Sequence, residues 1–275
     1  MRAAVLRDHR FHLEQLPTPQ PGPGQVLVKV RACGICGSDL HFVRHADHMV
    51  EQARQLGAPT AELERGLATG LVLGHEFVGE VVALGAGAGS HVQIGDRVCS
   101  MPFVLKEGGP ALIGSNPETS GAYAEYMVLT EALCLKVPEG VPDAAAALTE
   151  PLGIAVHAVN NAALQPGDVA VVIGCGPIGL AITAMLKIRG VTTIFAADFS
   201  PRRRELAQTM GATQVVDARQ ASVVQLAAAA HPGARMVIFE NTGAPRMLGK
   251  LVIEATLNAR TEAGMPKIHC NRSSW

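Results

Sequence analysis

What this sequence of 275 residues lacks already narrows its class. The formal net charge is −1, charged residues make up 17 % and no block of lysine and arginine occurs, which argues against nucleic acid or a membrane surface as partner. No apolar run approaches the ~20 residues of a membrane span. The N-terminus MRAAVLRDHRFHLEQL lacks the apolar segment of a signal peptide. We therefore expect a soluble, cytoplasmic protein that binds small molecules.

Cysteine is also scarce, because six residues are too few for a disulfide framework at this length. Cys33 and Cys36 stand three positions apart in CGICGSDLH, a spacing typical of half a structural zinc site, of a redox pair, or of one metal ligand beside a bystander. The other cysteines are isolated, so a four-cysteine zinc site lacks its second pair. The pair follows a β-rich run, which disfavours a thioredoxin-like redox pair. One ligand of a catalytic zinc site, with partners elsewhere in the chain, remains.

Two architectures follow each other along the chain. Short β-rich runs such as QVLVKVRA and EFVGEVVAL predict a β unit over residues 1–150, and the helical composition of residues 46–70 predicts an insertion in it. From residue 151, VAVVIG, TTIFAAD, TQVVD and RMVIFENTG alternate with helical stretches, which predicts a parallel sheet of an α/β fold. This domain ends at residue 257 after a predicted helix. Residues 258–275 form an atypical, polar tail without usable periodicity.

A dinucleotide signature opens the second architecture. VAVVIGCGPIGL places Gly174, Gly176 and Gly179 after an apolar strand, where they serve a tight turn, the approach to a pyrophosphate and close helix packing. Asp198 follows Gly179 by 19 residues, where a carboxylate binds the adenosine ribose and repels a 2′-phosphate. NAD is therefore expected over NADP, although the arginines at 202–204 could accommodate the extra phosphate.

Candidate partners for the cysteine pair lie in two other motifs. LGHEFVGE supplies His75 and Glu76, and ALTEPLG supplies Glu150 beside a proline. Each residue alone is more typical of a structural histidine or of a solvated or capping acid. Catalytic zinc sites combine three such protein ligands and leave a fourth position open. The combination therefore predicts a metal site.

Taken in order, GICGSDLH, GHEFVGEVVALG, IGDRV, GAYAEY, LTEPL and VIGCGPIGL resemble the zinc-dependent alcohol dehydrogenases of the medium-chain dehydrogenase/reductase family, closest to the polyol and threonine dehydrogenase-like branch. The resemblance covers residues 1 to about 245. It implies a GroES-like catalytic domain over 1–150 and a Rossmann domain over 151–257. It also implies a catalytic zinc held by Cys36, His75 and Glu150, with Glu76 as a second acid that can ligate. Cys33 matches no ligand position.

The resemblance further implies that Ser38 and His41 form a proton relay and that Arg203 contacts the adenosine ribose. A zinc-bound alcohol must lose its proton before hydride leaves, and a histidine titrating near neutrality can deliver that proton to solvent. We expect Asp39 to anchor its loop by hydrogen bonding to backbone.

Three departures from the family pattern matter. Only Cys99 follows the Gly-Asp-Arg-Val turn, so we predict one catalytic zinc and no structural zinc. The segment between His41 and His75 is longer than expected and is predicted to shape substrate access. The chain stops before the strands that would complete the sheet, which suggests truncation and leaves an exposed sheet edge. Relatives usually form homo-oligomers through that missing part.

The leading hypothesis is a zinc-dependent enzyme that transfers a hydride from an alcohol or polyol to NAD. The alternative is a truncated, catalytically silent chain that retains only metal or partial cofactor binding. A zinc-free quinone-type reductase is disfavoured because it should lack the set of Cys, His and Glu.

Overall fold

The computed structural model describes residues 1–55, 57, 60–242 and the backbone of 267–270. The chain divides into two compact units, Met1–Glu150 and Pro151–Trp275. None of the described helices combines the length and the apolar character that a membrane crossing requires.

The first unit is built on an antiparallel sheet. Its strands are β1 Arg2–Arg7, β2 Arg10–Gln15, β3 Gln25–Cys33, β4 Phe77–Leu84, β5 Arg97–Ser100, β6 Phe103–Lys106, β7 Gly109–Leu112, β8 Tyr126–Thr130 and β9 Cys134–Lys136. Five of them form a sheet in the order β8-β3-β4-β5-β9, and β1-β2 and β6-β7 form two-stranded ribbons. Val26 and Val28 of β3 and Val81 of β4 are buried in a common core, so one face of the sheet packs on that core.

Helices follow β3 in this unit. They are α1 Gly37–Gln55 and α2 Ala61–Thr69, with α3 Asp143–Ala146 near its end. The sequence predicted the helical insertion at 46–70, whereas α1 already begins at Gly37. The reason is local: Asp39 accepts a hydrogen bond from the backbone N–H of Cys36 and so caps the helix start. Ser38, Asp39 and His41 therefore lie on a helix and not in a loop.

The second unit contains a parallel sheet with helical crossovers. Helix α4, Thr149–Asn161, begins in the last two residues of the first unit and continues into the second. The other elements of the second unit are β10 Val169–Ile173, α5 Pro177–Ile188, β11 Thr193–Asp198, α6 Pro201–Met210, β12 Gln214–Asp217, α7 Val223–Ala230, β13 Met236–Glu240 and β14 Lys267–Cys270. The strand order is β12-β11-β10-β13-β14. Strands β11 and β12 lie on one side of β10, and β13 and β14 lie on the other. The strand order therefore reverses between β10 and β13, which is the switch point of the sheet.

Strand β14 lies inside the segment predicted as a tail without periodicity. Its backbone pairs in parallel with β13, from Val237 opposite Lys267 to Glu240 opposite Cys270. The sequence analysis did not predict this strand. A run this short shows no readable period, and its strand conformation depends on the pairing with β13. The helix predicted to Leu257 and the rest of the tail lie outside the described residues.

Candidate metal and dinucleotide sites

Three of the predicted metal ligands lie together in the first unit. Cys36 directly precedes α1, and His75 and Glu76 directly precede β4. Their ligand atoms all lie within 4.8 Å of one another, and within the described part of the chain no other such group occurs. Strands β3 and β4 pair with Cys33 opposite Phe77, and this register brings the two ligand-bearing turns side by side.

Glu150 stands beside this group and not within it. It lies in the first turn of α4 and is half-buried. Burial raises its pKa, and the charge of Glu76 adds to that effect while His75 opposes it. The charge of Glu150 in turn helps raise the pKa of His75. The structure therefore brings Cys36, His75 and Glu76 into contact distance and leaves Glu150 as a nearby acid.

Asp39 joins the two ligand-bearing turns. Its Oδ2 accepts hydrogen bonds from the backbone N–H of Cys36 (3.1 Å) and from the hydroxyl of Tyr123 (2.8 Å). Its Oδ1 lies 3.5 Å from Nδ1 of His75. The predicted backbone bond of Asp39 is confirmed. The sequence analysis did not predict the contact with His75. The only feature of the sequence that marks Asp39 is its place as the third residue of a helix, where a capping box has an acidic side chain.

Two glycines allow the turns to approach each other. A Cβ at Gly34 would stand 2.2 Å from Oε2 of Glu76. Gly74, just before His75, has a φ of +98°, and a Cβ there would stand 2.6 Å from the ring of Tyr123. The cluster therefore requires glycine at these two positions as well as the side chains of its ligands.

Burial and neighbouring charges shift the pKa values of His75 and Glu76 in this cluster. Burial lowers the pKa of His75, but its hydrogen bond to Cys36 and the charges of Asp39, Cys36 and Glu150 outweigh burial and raise that pKa to about 9. Burial raises the pKa of Glu76, and Asp39 adds to the effect. A divalent cation would relieve this repulsion. Thiolate, imidazole and carboxylate are also the donors that zinc accepts, so the residues present fit that metal.

The remaining cysteines near this region serve the core. Cys33 packs against the core of the first unit, and its Sγ donates to the carbonyl of Gly34 (3.2 Å). Burial raises the pKa of Cys33 to about 12. Cys99 is buried, and its Sγ donates to the carbonyl of Ala146 (3.1 Å).

The two predicted relay residues lie on α1. Ser38 is half-buried and His41 is exposed. The ring of His41 lies 4.8 Å from that of His45, where α1 departs from helical geometry. Their role as a relay stays a prediction.

In the second unit, the glycine turn joins β10 to α5. Gly174 has a φ of +87°, the left-handed region that favours glycine. A Cβ at Gly179 would stand 1.9 Å from the carbonyl oxygen of Gly174, so helix and turn pack too closely for any side chain. A Cβ at Gly176, by contrast, would meet no atom within 4 Å. A closed turn with an open middle leaves room for a phosphate at the start of α5.

Asp198 ends β11 beside this turn. Its Oδ2 accepts a hydrogen bond from the backbone N–H of Cys175 (2.9 Å), and its Oδ1 accepts one from Ser200 (2.8 Å). Arg203 lies 3.7 Å from the same carboxylate. Arg204 instead donates to the carbonyl of Asp198 (2.8 Å). Of the arginines behind Asp198, Arg203 thus faces its carboxylate and Arg204 its backbone.

Asn241 follows β13 on the other side of the switch point. Its Nδ2 faces the carbonyls of Phe239 (3.2 Å) and Ile173 (3.5 Å), which fixes the orientation of the amide. Its Oδ1 is buried and has no hydrogen-bond partner among the described residues. A buried acceptor without a donor costs about 1–3 kcal/mol. A ligand with hydroxyl or amide donors, as in a dinucleotide, fits this position.

Comparison with known proteins follows the same division. The family "Alcohol dehydrogenase GroES-like domain" matches residues 22–139, and the family "Zinc-binding dehydrogenase" matches residues 177–256. The (R,R)-butanediol dehydrogenase of Bacillus subtilis is 34 % identical over 272 residues, which cover 95 % of this chain and 76 % of that protein. The chain belongs to the zinc-dependent alcohol dehydrogenases of the medium-chain dehydrogenase/reductase family.

Two further proteins similar to this chain are informative. The sorbitol dehydrogenase of Bacillus subtilis is 33 % identical over 82 % of this chain and 63 % of its own length. A crystal structure described as a short chain alcohol dehydrogenase from Escherichia coli CFT073, complexed with the cofactor NADH, superposes with a TM-score of 0.75 at 27 % identity, over 92 % of this chain and 72 % of that one. As a family member the chain is an oxidoreductase, a zinc-binding dehydrogenase of the alcohol and polyol class.

Proposed function

We propose that this protein oxidises a secondary alcohol or polyol with NAD as hydride acceptor and a single catalytic zinc. The observation that carries the proposal is the group of Cys36, His75 and Glu76, whose ligand atoms lie within 4.8 Å of one another. The unit Met1–Glu150 would hold the metal, and the unit from Pro151 would hold the cofactor.

The metal end of the reaction needs three protein donors. Cys36, His75 and Glu76 would hold the zinc, with Glu150 as the alternative acid beside them. Zinc supplies a Lewis acid that lowers the pKa of the substrate hydroxyl. Ser38 Oγ would accept the hydroxyl proton, and the ring of His41 would deliver it to solvent. The exposure of His41 supports the last step.

The cofactor end needs an anion cradle and a ribose partner. The turn from Gly174 to Gly179 would hold the pyrophosphate at the start of α5. Asp198 would accept the hydroxyls of the adenosine ribose, with Arg203 beside it. NAD supplies the acceptor for the substrate's hydride. Because the Asp198 carboxylate repels a 2′-phosphate, NAD is the proposed cofactor and NADP the weaker one.

The reaction balances as R₂CHOH + NAD⁺ → R₂C=O + NADH + H⁺. The hydride leaves the carbinol carbon with its electron pair, and the proton leaves the hydroxyl through Ser38 and His41. The names of the butanediol and sorbitol relatives support a substrate with neighbouring hydroxyl groups. A cytoplasmic location and a homo-oligomeric state stay predictions.

The test is the appearance of NADH absorbance with a panel of diols, polyols and simple secondary alcohols. We expect turnover with 2,3-butanediol or a sugar alcohol, with NAD preferred over NADP. Cys36→Ser should abolish turnover, whereas Cys33→Ser, the same change at the other cysteine of the pair, should retain it. Activity that survives Cys36→Ser would contradict the proposed zinc site. A preference for NADP that is unaffected by Asp198→Ala would contradict the proposed cofactor site.

A further inference from the structure

Tyr123 contacts both ligand-bearing turns of the metal cluster without being a ligand. It stands in GAYAEY, just before β8, and its ring lies against Gly74, the residue preceding His75. The backbone N–H of Tyr123 donates to the carbonyl of Leu73 (2.9 Å). Phe11 packs edge-on against the ring at 5.8 Å between centroids. The ring is therefore fixed from two sides, and the hydroxyl has a defined direction.

That hydroxyl points at the carboxylate that joins the ligands. It donates to Oδ2 of Asp39 at 2.8 Å, and the same oxygen accepts the backbone N–H of Cys36. The other oxygen of Asp39 faces Nδ1 of His75 at 3.5 Å. Asp39 is 5 % exposed, so its oxygens depend on these protein donors and not on bulk water. Burial, the hydrogen bond to Asp39 and the charge of Asp39 all raise the pKa of Tyr123.

We infer that Tyr123 is a positioning residue for the metal site: its hydroxyl fixes the carboxylate of Asp39, which in turn orients Cys36 and His75. The inference rests on the proposed function, because it assumes that these two residues bind the metal. Partners of this kind orient ligands through hydrogen bonds and keep the donor atoms at coordinating positions. Without the hydroxyl, Asp39 can rotate away from His75 while the ring still fills its place.

Two tyrosine-to-phenylalanine variants of the whole chain test the inference. The chain contains two tyrosines, so Tyr126→Phe is the matched control, the same chemical change three residues further on, in β8. Zinc affinity would be measured by competition with a chromogenic chelator. Changes to such partners cost about 10–100-fold in metal affinity. We expect Tyr123→Phe to lie near the lower end, about 10-fold weaker, and Tyr126→Phe to bind as the unchanged chain does.

A second measurement separates positioning from simple stability. Cobalt would replace zinc, and the thiolate-to-cobalt and ligand-field absorption bands would be recorded beside the thermal unfolding of the metal-free chain. We expect Tyr123→Phe to shift the bands, and Asp39→Asn to shift them further. Unchanged bands and zinc affinity in Tyr123→Phe, whatever the unfolding temperature, would overturn the role of Tyr123 alone. An unchanged chain that binds no zinc, or binds it equally well as Cys36→Ser, would overturn the metal site itself.

Discussion

The metal cluster of the first unit and the glycine turn of the second are built by opposite means. The glycine turn is local and made of backbone: Gly174 and Gly179 are five residues apart, and both matter because they lack a side chain. The metal cluster is assembled from turns around residues 36 and 75, and Asp39 links them by side-chain contacts. The glycine turn therefore tolerates the loss of a distant contact, whereas the metal cluster is weakened when a contact that links its two turns is lost.

The largest expected effect separates the two sites. Cys36→Ser removes a proposed donor outright, so zinc binding and turnover should fall by more than the about 10–100-fold that indirect partners contribute. NADH binding, measured by quenching or enhancement of its fluorescence, should stay within about twofold, because the glycine turn uses no residue of the metal cluster. Loss of NADH binding together with zinc would show that the two sites are not built independently.

The same contrast explains how much the sequence could predict. The strand, the three glycines and Asp198 all lie within a short stretch with fixed spacing, so their placement around the turn follows from local rules. The parallel sheet was predicted for the same reason, from alternating strand and helix patterns. His75 and Glu76 could only be nominated, because the pairing of Cys33 with Phe77, which brings their turn beside Cys36, is not written in either motif.

Contacts that leave no pattern in the sequence were not predicted at all. The bond between Tyr123 and Asp39 spans 84 positions, and no periodicity joins them. The start of α1 at Gly37 was also missed, because glycine and serine have low helix propensity and only the Asp39 cap compensates for it. The strand Lys267–Cys270 depends on a partner strand and has no period of its own.

Adding one methyl group tests the close packing of the glycine turn. Gly179→Ala would place a Cβ 1.9 Å from the carbonyl oxygen of Gly174, which is backbone and cannot rotate away. We expect the free energy of unfolding to fall by about 1–3 kcal/mol, as for other overpacked sites. Urea titration measures it, and NADH binding should weaken as well. Gly176→Ala, at an open position, is the control for stability; an equal loss there would mean that close packing is not the cause.

The metal cluster can be tested in the same way, with a smaller expected effect. A Cβ at Gly34 would stand 2.2 Å from Oε2 of Glu76, which is the end of a flexible side chain. Gly34→Ala should therefore displace the carboxylate and leave the fold largely intact. We expect zinc affinity to fall about 10-fold, in the range of other indirect changes to metal sites. Gly37→Ala meets nothing within 4 Å and serves as the matched control. Equal zinc affinity in both variants would remove Glu76 from the site.

The smallest effect concerns an assembled contact at the surface. Asp143 links Arg97 (2.7 Å) to Arg31 (3.2 Å), which are further apart in sequence than Cys36 and His75 are, but its side chain is 25 % exposed. The hydrogen bond to Arg97, and then Arg31, lowers the pKa of Asp143 below its ordinary 3.8. Its stabilisation is therefore complete above that value and disappears as pH falls through the lower, folded one.

Asp143→Asn should then lower the free energy of unfolding at pH 7 by less than about 1 kcal/mol, because solvent screens such pairs. Urea titrations at pH 7 and at a pH below the folded value should show the difference shrinking, with Glu139→Gln, an exposed acid, as control. A cost at pH 7 as large as that of Gly179→Ala would contradict this ordering. Such a cost would mean that the burial of a linking carboxylate does not decide how much it contributes, because Asp143 is more exposed than Asp39.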